Sequence, residues 1–224
     1  MTINKFTPVI DSKLAAYTAL ATVALAAPVA AKADIVYSGV LNLTVPSTTA
    51  GIYLNLVNGV FATTPSGAPG WDINPWGSGS FFLYGTTGNG FINNFAGGSS
   101  ATLVDNLPLG TTIDGASGYT FGNNATETTG STAFLLNSSS NVAGFRFINE
   151  AAGNQVQYGW VRFSLAGTAV AQPRLLVEYA YDNTGASILA GQTTAVPEPS
   201  TYAFLGLMAT GAFAVRRWRK HQTA

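Results

Sequence analysis

Hydrophobic and polar residues alternate over short runs through most of the chain, and this period of two is typical of β-strands. Within residues 155–165 the apolar phase changes near Gly159, which predicts a bulge or a strand bent between two sheets. The alternation of apolar and polar residues and the length of the alternating runs predict the three clearest strands, at 143–148, 155–165 and 175–182.

The first half of the chain predicts shorter strands with turn residues between them. Asn58-Gly59 lies between two apolar runs, 51–57 and 60–63, and predicts a β-hairpin with a type I′ turn. Loops with short strands are expected elsewhere, and the pattern favours an all-β fold: a single antiparallel β-sandwich, jelly-roll-like. Further strands are predicted at 34–37, 40–45, 80–84, 90–95 and 133–137.

A first apolar run that lacks this alternation, residues 14–27, begins after two lysines and ends at Pro28. Ala31-Lys32-Ala33 then gives the small-x-small pattern that signal peptidase recognises. The sequence therefore predicts a signal-peptide helix over residues 1–33, with cleavage between Ala33 and Asp34.

A second apolar run, residues 202–215, predicts a short transmembrane helix. At ~1.5 Å per residue the run spans only about 21 Å, less than the ~30 Å of a bilayer core. The run is followed by a cationic stop, which the positive-inside rule places on the cytoplasmic side. This stop consists of Arg216, Arg217, Arg219 and Lys220.

Two prolines precede this second run, in the order Val196, Pro197, Glu198, Pro199 and Ser200. Proline has a restricted φ and no amide donor, so this stretch is expected to stay extended and accessible to an enzyme. The motif, the apolar helix and the basic cluster together resemble the PEP-CTERM sorting signal of Gram-negative bacteria. That resemblance covers roughly residues 195–220 and implies processing by a membrane transpeptidase, an exosortase. Similar C-terminal segments also occur on some ice-binding proteins.

The predicted organisation is a signal peptide (1–33), one β-sandwich domain (34–195) and a sorting signal (196–224). Seven of the ten basic residues lie in the two signals, so 34–195 holds three arginines against eight acidic residues, a formal charge of −5. An acidic surface argues against nucleic acid as a partner. Segments at 144–147, 158–162 and 179–182 resemble the closing strands of many proteins with this signal, which implies a shared β-domain rather than a shared activity.

Catalytic chemistry has few candidates in the middle of the chain. The one histidine is His221, and residues 34–195 contain no His, Cys or Lys. Triad catalysis, zinc sites built on His or Cys, and Schiff-base lysines are therefore excluded there. Glu150, Glu178 and Asp182 are the remaining carboxylate candidates for a hydrolase, but their pattern favours a turn and a solvent-facing strand. We therefore predict that the protein has no catalytic residues and is not an enzyme.

Residues 72–77 partly match a calcium-binding loop, because Asp72, Asn74 and Gly77 occupy three positions of an Asp-x-Asn-x-Asn-Gly pattern. Trp76 stands where the fifth ligand is needed, and no Glu follows at the twelfth position. An ordinary proline-containing turn is the favoured interpretation, so the prediction is no metal and no cofactor, with calcium as the weaker alternative.

Aromatic residues cluster between positions 71 and 84. Exposed Trp and Tyr faces on a β-sandwich can stack on the apolar face of a sugar ring. The alternative is that these aromatics belong to the core. An ice-binding face of paired threonines is less favoured, because the pairs recur at no solenoid period. The candidate sugar-binding residues are Trp71, Asp72, Asn74, Trp76 and Tyr84.

The function expected from these features is that of an exported, non-enzymatic structural or adhesive protein of the cell surface or extracellular matrix. The resemblance associates it with exopolysaccharide and biofilm. Its expected partners are signal peptidase, an exosortase, the inner membrane transiently through 202–215, and exopolysaccharide. A carbohydrate-binding module is the alternative, followed by an ice-binding, calcium-dependent or hydrolytic β-sandwich.

Overall fold

A computed structural model describes residues 34–93, 103–126 and 129–195, which all belong to one compact unit. The sorting motif at 196–200, the membrane run at 202–215, the basic stop and Ala31 and Ala33 lie outside the described residues. In the part that is described, no helix is long and apolar enough to cross a membrane.

The described residues form short and long β-strands and two 3-10 turns, at Pro65–Gly67 and Glu150–Ala152. The all-β class is thereby confirmed. In chain order the strands are β1 (Ile35–Tyr37), β2 (Leu43–Thr44), β3 (Tyr53–Leu54), β4 (Phe61–Ala62), β5 (Ile73–Trp76), β6 (Phe82–Gly85), β7 (Gly90–Ile92), β8 (Leu103–Val104), β9 (Thr112–Ile113), β10 (Tyr119–Phe121), β11 (Asn123–Thr126), β12 (Ser138–Asn149), β13 (Gln155–Leu165), β14 (Leu175–Asp182) and β15 (Ile188–Leu189).

These strands assemble into two large sheets and one small one. Sheet A has seven strands in the order β1-β14-β13-β12-β7-β10, with β2 also paired to β14. Sheet B has six strands in the order β4-β3-β5-β6-β11-β8, and β15 pairs with β9 alone. The pairs are antiparallel except for β8 with β11, which is parallel. The jelly-roll-like topology stays a prediction.

The main hydrophobic core lies between sheets A and B. Leu54, Ile73 and Leu83 of sheet B are buried in the same cluster as Phe145, Phe163 and other residues of sheet A. A second cluster covers the opposite face of sheet A, where Trp160 packs with Ile113 and Ile188 of the β9–β15 pair. Sheet A is therefore the middle layer, buried on both faces along its central strands.

This middle position corrects the prediction made for Gly159. β13 runs unbroken through Gly159, and its register irregularity against β14 lies between Arg162 and Phe163. The apolar phase changes because the strand has a core on each face: Trp160 belongs to one cluster and Val161 to the other. Gly159 instead makes room for an aromatic ring, since a Cβ there would lie 2.4 Å from Phe145 Cζ.

Two local predictions in the hairpin and loop regions are also wrong. The β3–β4 hairpin forms, but Asn58 does not adopt the positive φ that a type I′ turn needs; Gly59 alone does, at 72°. The loop is instead wider, and the side-chain oxygen of Asn55 stabilises it by accepting hydrogen bonds from the backbone amides of Val57 and Asn58. Residues 133–137 form no strand, although Phe134 is buried in the core.

Candidate functional site: the aromatic face of sheet B

Sheet B has one face in the core and one face that carries large aromatic side chains. Leu54, Ile73 and Leu83 point into the core and are at most 1% exposed. Tyr53, Trp76, Phe82 and Tyr84 lie at alternate positions of the same strands and point the other way. Trp71 precedes β5 and joins them through ring contacts with Tyr53 and Tyr84. We call the surface formed by these five half-buried residues the aromatic face.

The five rings form two contacting groups on this face. Trp71 lies between Tyr53 and Tyr84, with ring centroids 4.9 Å and 5.7 Å away. Trp76 stacks on Phe82 at 4.8 Å, and the two residues are directly opposite each other on β5 and β6. These contacts hold each ring in place while leaving part of its surface open to solvent.

Polar groups at the rim of the aromatic face are amides and hydroxyls rather than charges. The indole N–H of Trp76 donates to Asn123 Oδ1 at 2.9 Å, and Asn123 lies on the exposed edge of β11. None of the six strands of sheet B contains a charged residue within its described bounds. The face therefore suits an uncharged ligand with flat apolar patches and hydroxyl groups.

Asp72 and Asn74, which were expected to supply polar contacts to a sugar, are used inside the fold. Asn74 is 6% exposed, and its amide donates to the carbonyls of Ala50 and Ile52 at 2.8 and 2.6 Å. Asp72 is 1% exposed and accepts the Leu56 amide at 2.8 Å. Of the five candidate residues, the structure therefore exposes part of Trp71, Trp76 and Tyr84 on one surface. Asn74 lies opposite Tyr84 on the same side of the sheet but is buried, and Asp72 is buried as well.

Asp72 has an unusual electrostatic environment for a carboxyl group. Burial raises its pKa from 3.8 to about 7, although the hydrogen bonds from Leu56 and Asn89 act in the opposite direction. The Asn89 amide also donates to the Asp72 carbonyl at 3.2 Å and to Thr86 Oγ1 at 2.7 Å. Asp72 thus ties the β3–β4 loop to the β6–β7 turn, one position after Trp71 in the chain.

The calcium hypothesis and the turn hypothesis for residues 72–77 both assumed a loop. Ile73–Trp76 instead form β5, which is paired on both sides, with β3 and β6. A calcium loop needs oxygen ligands that converge around a turn, and a paired strand does not provide that arrangement. Among the described residues no three His, Cys, Asp or Glu side chains cluster as metal ligands would.

Two of the three carboxylates considered for hydrolysis make structural contacts, and the expectation that they face solvent is wrong, since Glu178 is 8% exposed and Asp182 0% exposed. Glu178 accepts hydrogen bonds from Arg162 Nη2 at 2.8 Å and from the hydroxyl of Tyr37 at 2.5 Å. The bond from the hydroxyl raises the pKa of Tyr37. Asp182 caps the following turn by accepting the amide of Thr184 at 2.8 Å. Four positions along β14 separate the two carboxylates by about 13 Å, beyond the ~5–9.5 Å used by glycosidases. The absence of enzymatic activity stays a prediction.

Two members of the aromatic face, Tyr53 and Phe82, were not among the predicted site residues, and neither was Asn123 at its rim. Tyr53 sits one position before the core residue Leu54, and Asn123 lies directly opposite Tyr84. The alternation within the predicted hairpin strand is the signal that could have placed Tyr53 on the face away from the core. Asn123 gave no such signal, because β11 was expected to be loop.

Asp34, at the predicted signal cleavage, is exposed directly before β1, and its backbone carbonyl accepts the Asn183 amide at 3.0 Å.

Comparison with known proteins identifies the segment that follows the folded unit. No curated protein and no solved structure matches the chain. Residues 195–220 match a family model described as the PEP-CTERM protein-sorting motif. The chain therefore carries a PEP-CTERM sorting motif, which marks it as an exported protein targeted to an exosortase.

Proposed function

We propose that this protein is a non-enzymatic adhesive component of the cell surface or extracellular matrix, and that it binds polysaccharide through the aromatic face. The observation that carries the proposal is the placement of five partly exposed aromatic rings on one uncharged sheet surface. The sorting motif supports the location, because it implies export and exosortase processing.

The chemistry of the aromatic face favours a sugar polymer as ligand. A pyranose ring offers an apolar C–H face that packs against a rigid aromatic ring, and its hydroxyl groups can bond to nearby amides and phenols. Tyr53, Trp71 and Tyr84 form one contiguous group of rings, with interplanar angles of 74° and 43°, and the stacked rings of Trp76 and Phe82 form a second group. Two groups of rings on one sheet suit several sugar units of one polysaccharide rather than a single monosaccharide.

The charge of the domain narrows the class of polysaccharide. Residues 34–195 have a formal charge of −5, and the strands of sheet B contribute no cation to the aromatic face. A strongly anionic polymer would be repelled, and it would find no arginine or lysine on the strands beneath the rings. We therefore propose a neutral polysaccharide.

Replacing Trp71 and Trp76 together by alanine should weaken polysaccharide binding by at least about fivefold, since each aromatic contact is worth ~0.5–1.5 kcal/mol. A glycan array with residues 34–195, whose sheets bury a common core, measures this in the presence and absence of calcium. The Trp71→Phe/Trp76→Phe variant should keep most of the affinity, because a flat ring remains at each position.

Phe121→Ala is the matched control, because this residue is 52% exposed on β10 of sheet A. It should bind like the unaltered domain. Equal losses in the control and the double variant, or no binding of any neutral polysaccharide by the unaltered domain, would contradict the proposal. The second result would favour a purely structural or protein-adhesive role.

A further inference from the structure

The last folded segment before the sorting motif is anchored close to that motif. The Ala190 amide donates to Thr111 O at 2.8 Å, and Ala190 O accepts the Gly110 amide at 2.9 Å. The buried indole of Trp160 donates to Gln192 O at 2.9 Å. The chain is therefore held against the domain up to Gln192.

Only a short reach remains between this anchor and the motif. The chain advances five positions from Gln192 to Pro197. Fully extended, that stretch spans at most about 18 Å at ~3.6 Å per residue. A domain of this length has a radius of gyration of about 15 Å, so the reach is comparable to the radius of the domain. An enzyme that acts at the motif must therefore work against the surface of the folded domain.

The surface at this point is uncharged and carries exposed leucines. We call it the exit surface and define it as residues 108–112 and 187–191, which include no charged residue. Leu109 is 73% exposed and Leu189 is 39% exposed. A Cβ on Gly191 would lie 2.7 Å from Leu109 Cδ2, so this leucine borders the place where the chain leaves the domain.

We propose that the exit surface docks the domain on the extracytoplasmic surface of the exosortase while the motif is processed. A protein partner fits better than a lipid surface, because the exit surface has no cation to attract anionic headgroups and two leucines alone give weak membrane binding. A small apolar contact also suits an enzyme that must release its substrate. The proposal rests on exosortase processing and is independent of polysaccharide binding.

Photocrosslinking of the full chain in cells that carry an inactive exosortase tests the contact directly. A photoreactive residue at position 109 should give an adduct with the exosortase in clearly higher yield than one at position 60, because only position 109 lies on the exit surface. Val60 is 42% exposed on the β3–β4 loop of sheet B, a different layer. Equal yields at the two positions, or adducts with lipid alone, would overturn the proposal.

Processing kinetics give a second, independent readout. The Leu109→Asp/Leu189→Asp variant should be processed at least about fivefold more slowly than Val57→Asp/Val60→Asp, because a charge opposes an apolar contact. Inserting ~15 Gly/Ser residues after Thr194 of the unaltered chain should slow processing toward the rate of the Leu109→Asp/Leu189→Asp variant, since a flexible linker of that length lets the domain move ~20 Å away. Equal rates for the two variants, or an unchanged rate after the insertion, would overturn the docking contact and leave polysaccharide binding unaffected.

Discussion

Replacing Arg174 by alanine should lower the free energy of unfolding by about 4 kcal/mol, within the range for breaking a buried polar network. Arg174 is 0% exposed, and its guanidinium donates to four backbone carbonyls rather than to a carboxylate. Alanine would leave these carbonyls without their buried donor and would open a cavity beside Phe81, whose ring centroid is 4.9 Å from the Arg174 Cζ.

The carbonyls explain why the effect should be large. They belong to Val45, Pro46, Ala169 and Gly77, so one side chain joins three separate loops at the end of the core. Burial lowers the pKa of Arg174 to about 10, which still leaves the guanidinium charged at neutral pH. Lysine at this position would keep the charge but lose the planar fork that reaches several acceptors, and it should recover only part of the stability.

Urea denaturation of the domain measures this loss, with Arg162→Ala as the control. Arg162 forms the ion pair with Glu178 at 2.8 Å, and the two side chains are 28% and 10% exposed. Solvent reaches the guanidinium and the Tyr37 hydroxyl still donates to Glu178, so we expect a cost of about 2 kcal/mol, half that of Arg174→Ala. Equal losses for the two arginine variants would show that the network around Arg174 is not the stabilising feature inferred here.

Replacing Asp72 by asparagine should abolish most of a pH-dependent loss of stability between about pH 4 and 7. The pKa of Asp72 is raised from 3.8 in the unfolded chain to about 7 in the fold. The folded state therefore holds a proton that the unfolded state has released, so the free energy of unfolding falls as pH rises through this window. The full difference is about 4 kcal/mol at ~1.4 kcal/mol per unit, and it is complete above pH 7.

Chemical denaturation at a series of pH values checks this prediction. The Asp72→Asn domain should be less dependent on pH than the unaltered domain and more stable than it at pH 8. Its carboxamide oxygen can still accept the Leu56 amide, which Asp72 accepts at 2.8 Å. Asp34→Asn, at an exposed position, should retain the pH dependence because Asp72 is intact. Parallel curves for the unaltered and Asp72→Asn domains would contradict the assignment.

The long strands were predictable because their local pattern and their final environment agree. The predicted bounds 155–165 and 175–182 coincide with β13 and β14. Asn149 to Asn154 also forms the expected turn, where Asn154 has a positive φ of 64°. β5 was missed because a proline, an Asn and an Asp looked like a turn. The strand predicted at 133–137 is absent for the opposite reason, because an irregular loop can also bury apolar residues in the core.

The candidate site was predicted in part. Clustering in the sequence pointed to Trp71, Trp76 and Tyr84, and all three lie on the aromatic face. The same clustering also included Asp72 and Asn74, which are buried and bonded to backbone groups. Tyr53 and Asn123 come from separate strands and meet the cluster through strand pairing, which depends on contacts distant in sequence.

The sequence by itself determined the sorting motif, the all-β class and the scarcity of catalytic side chains. Each of these depends only on which residues are present and on their order over short stretches, and both can be read directly from the chain. The tertiary structure alone decided that sheet A is buried on both faces, that Asp72 and Arg174 are internal, and that five aromatic rings share one exposed surface. Burial and sheet order follow from the summed packing of distant strands, and a period of two shows that a strand has two faces but not what covers each face.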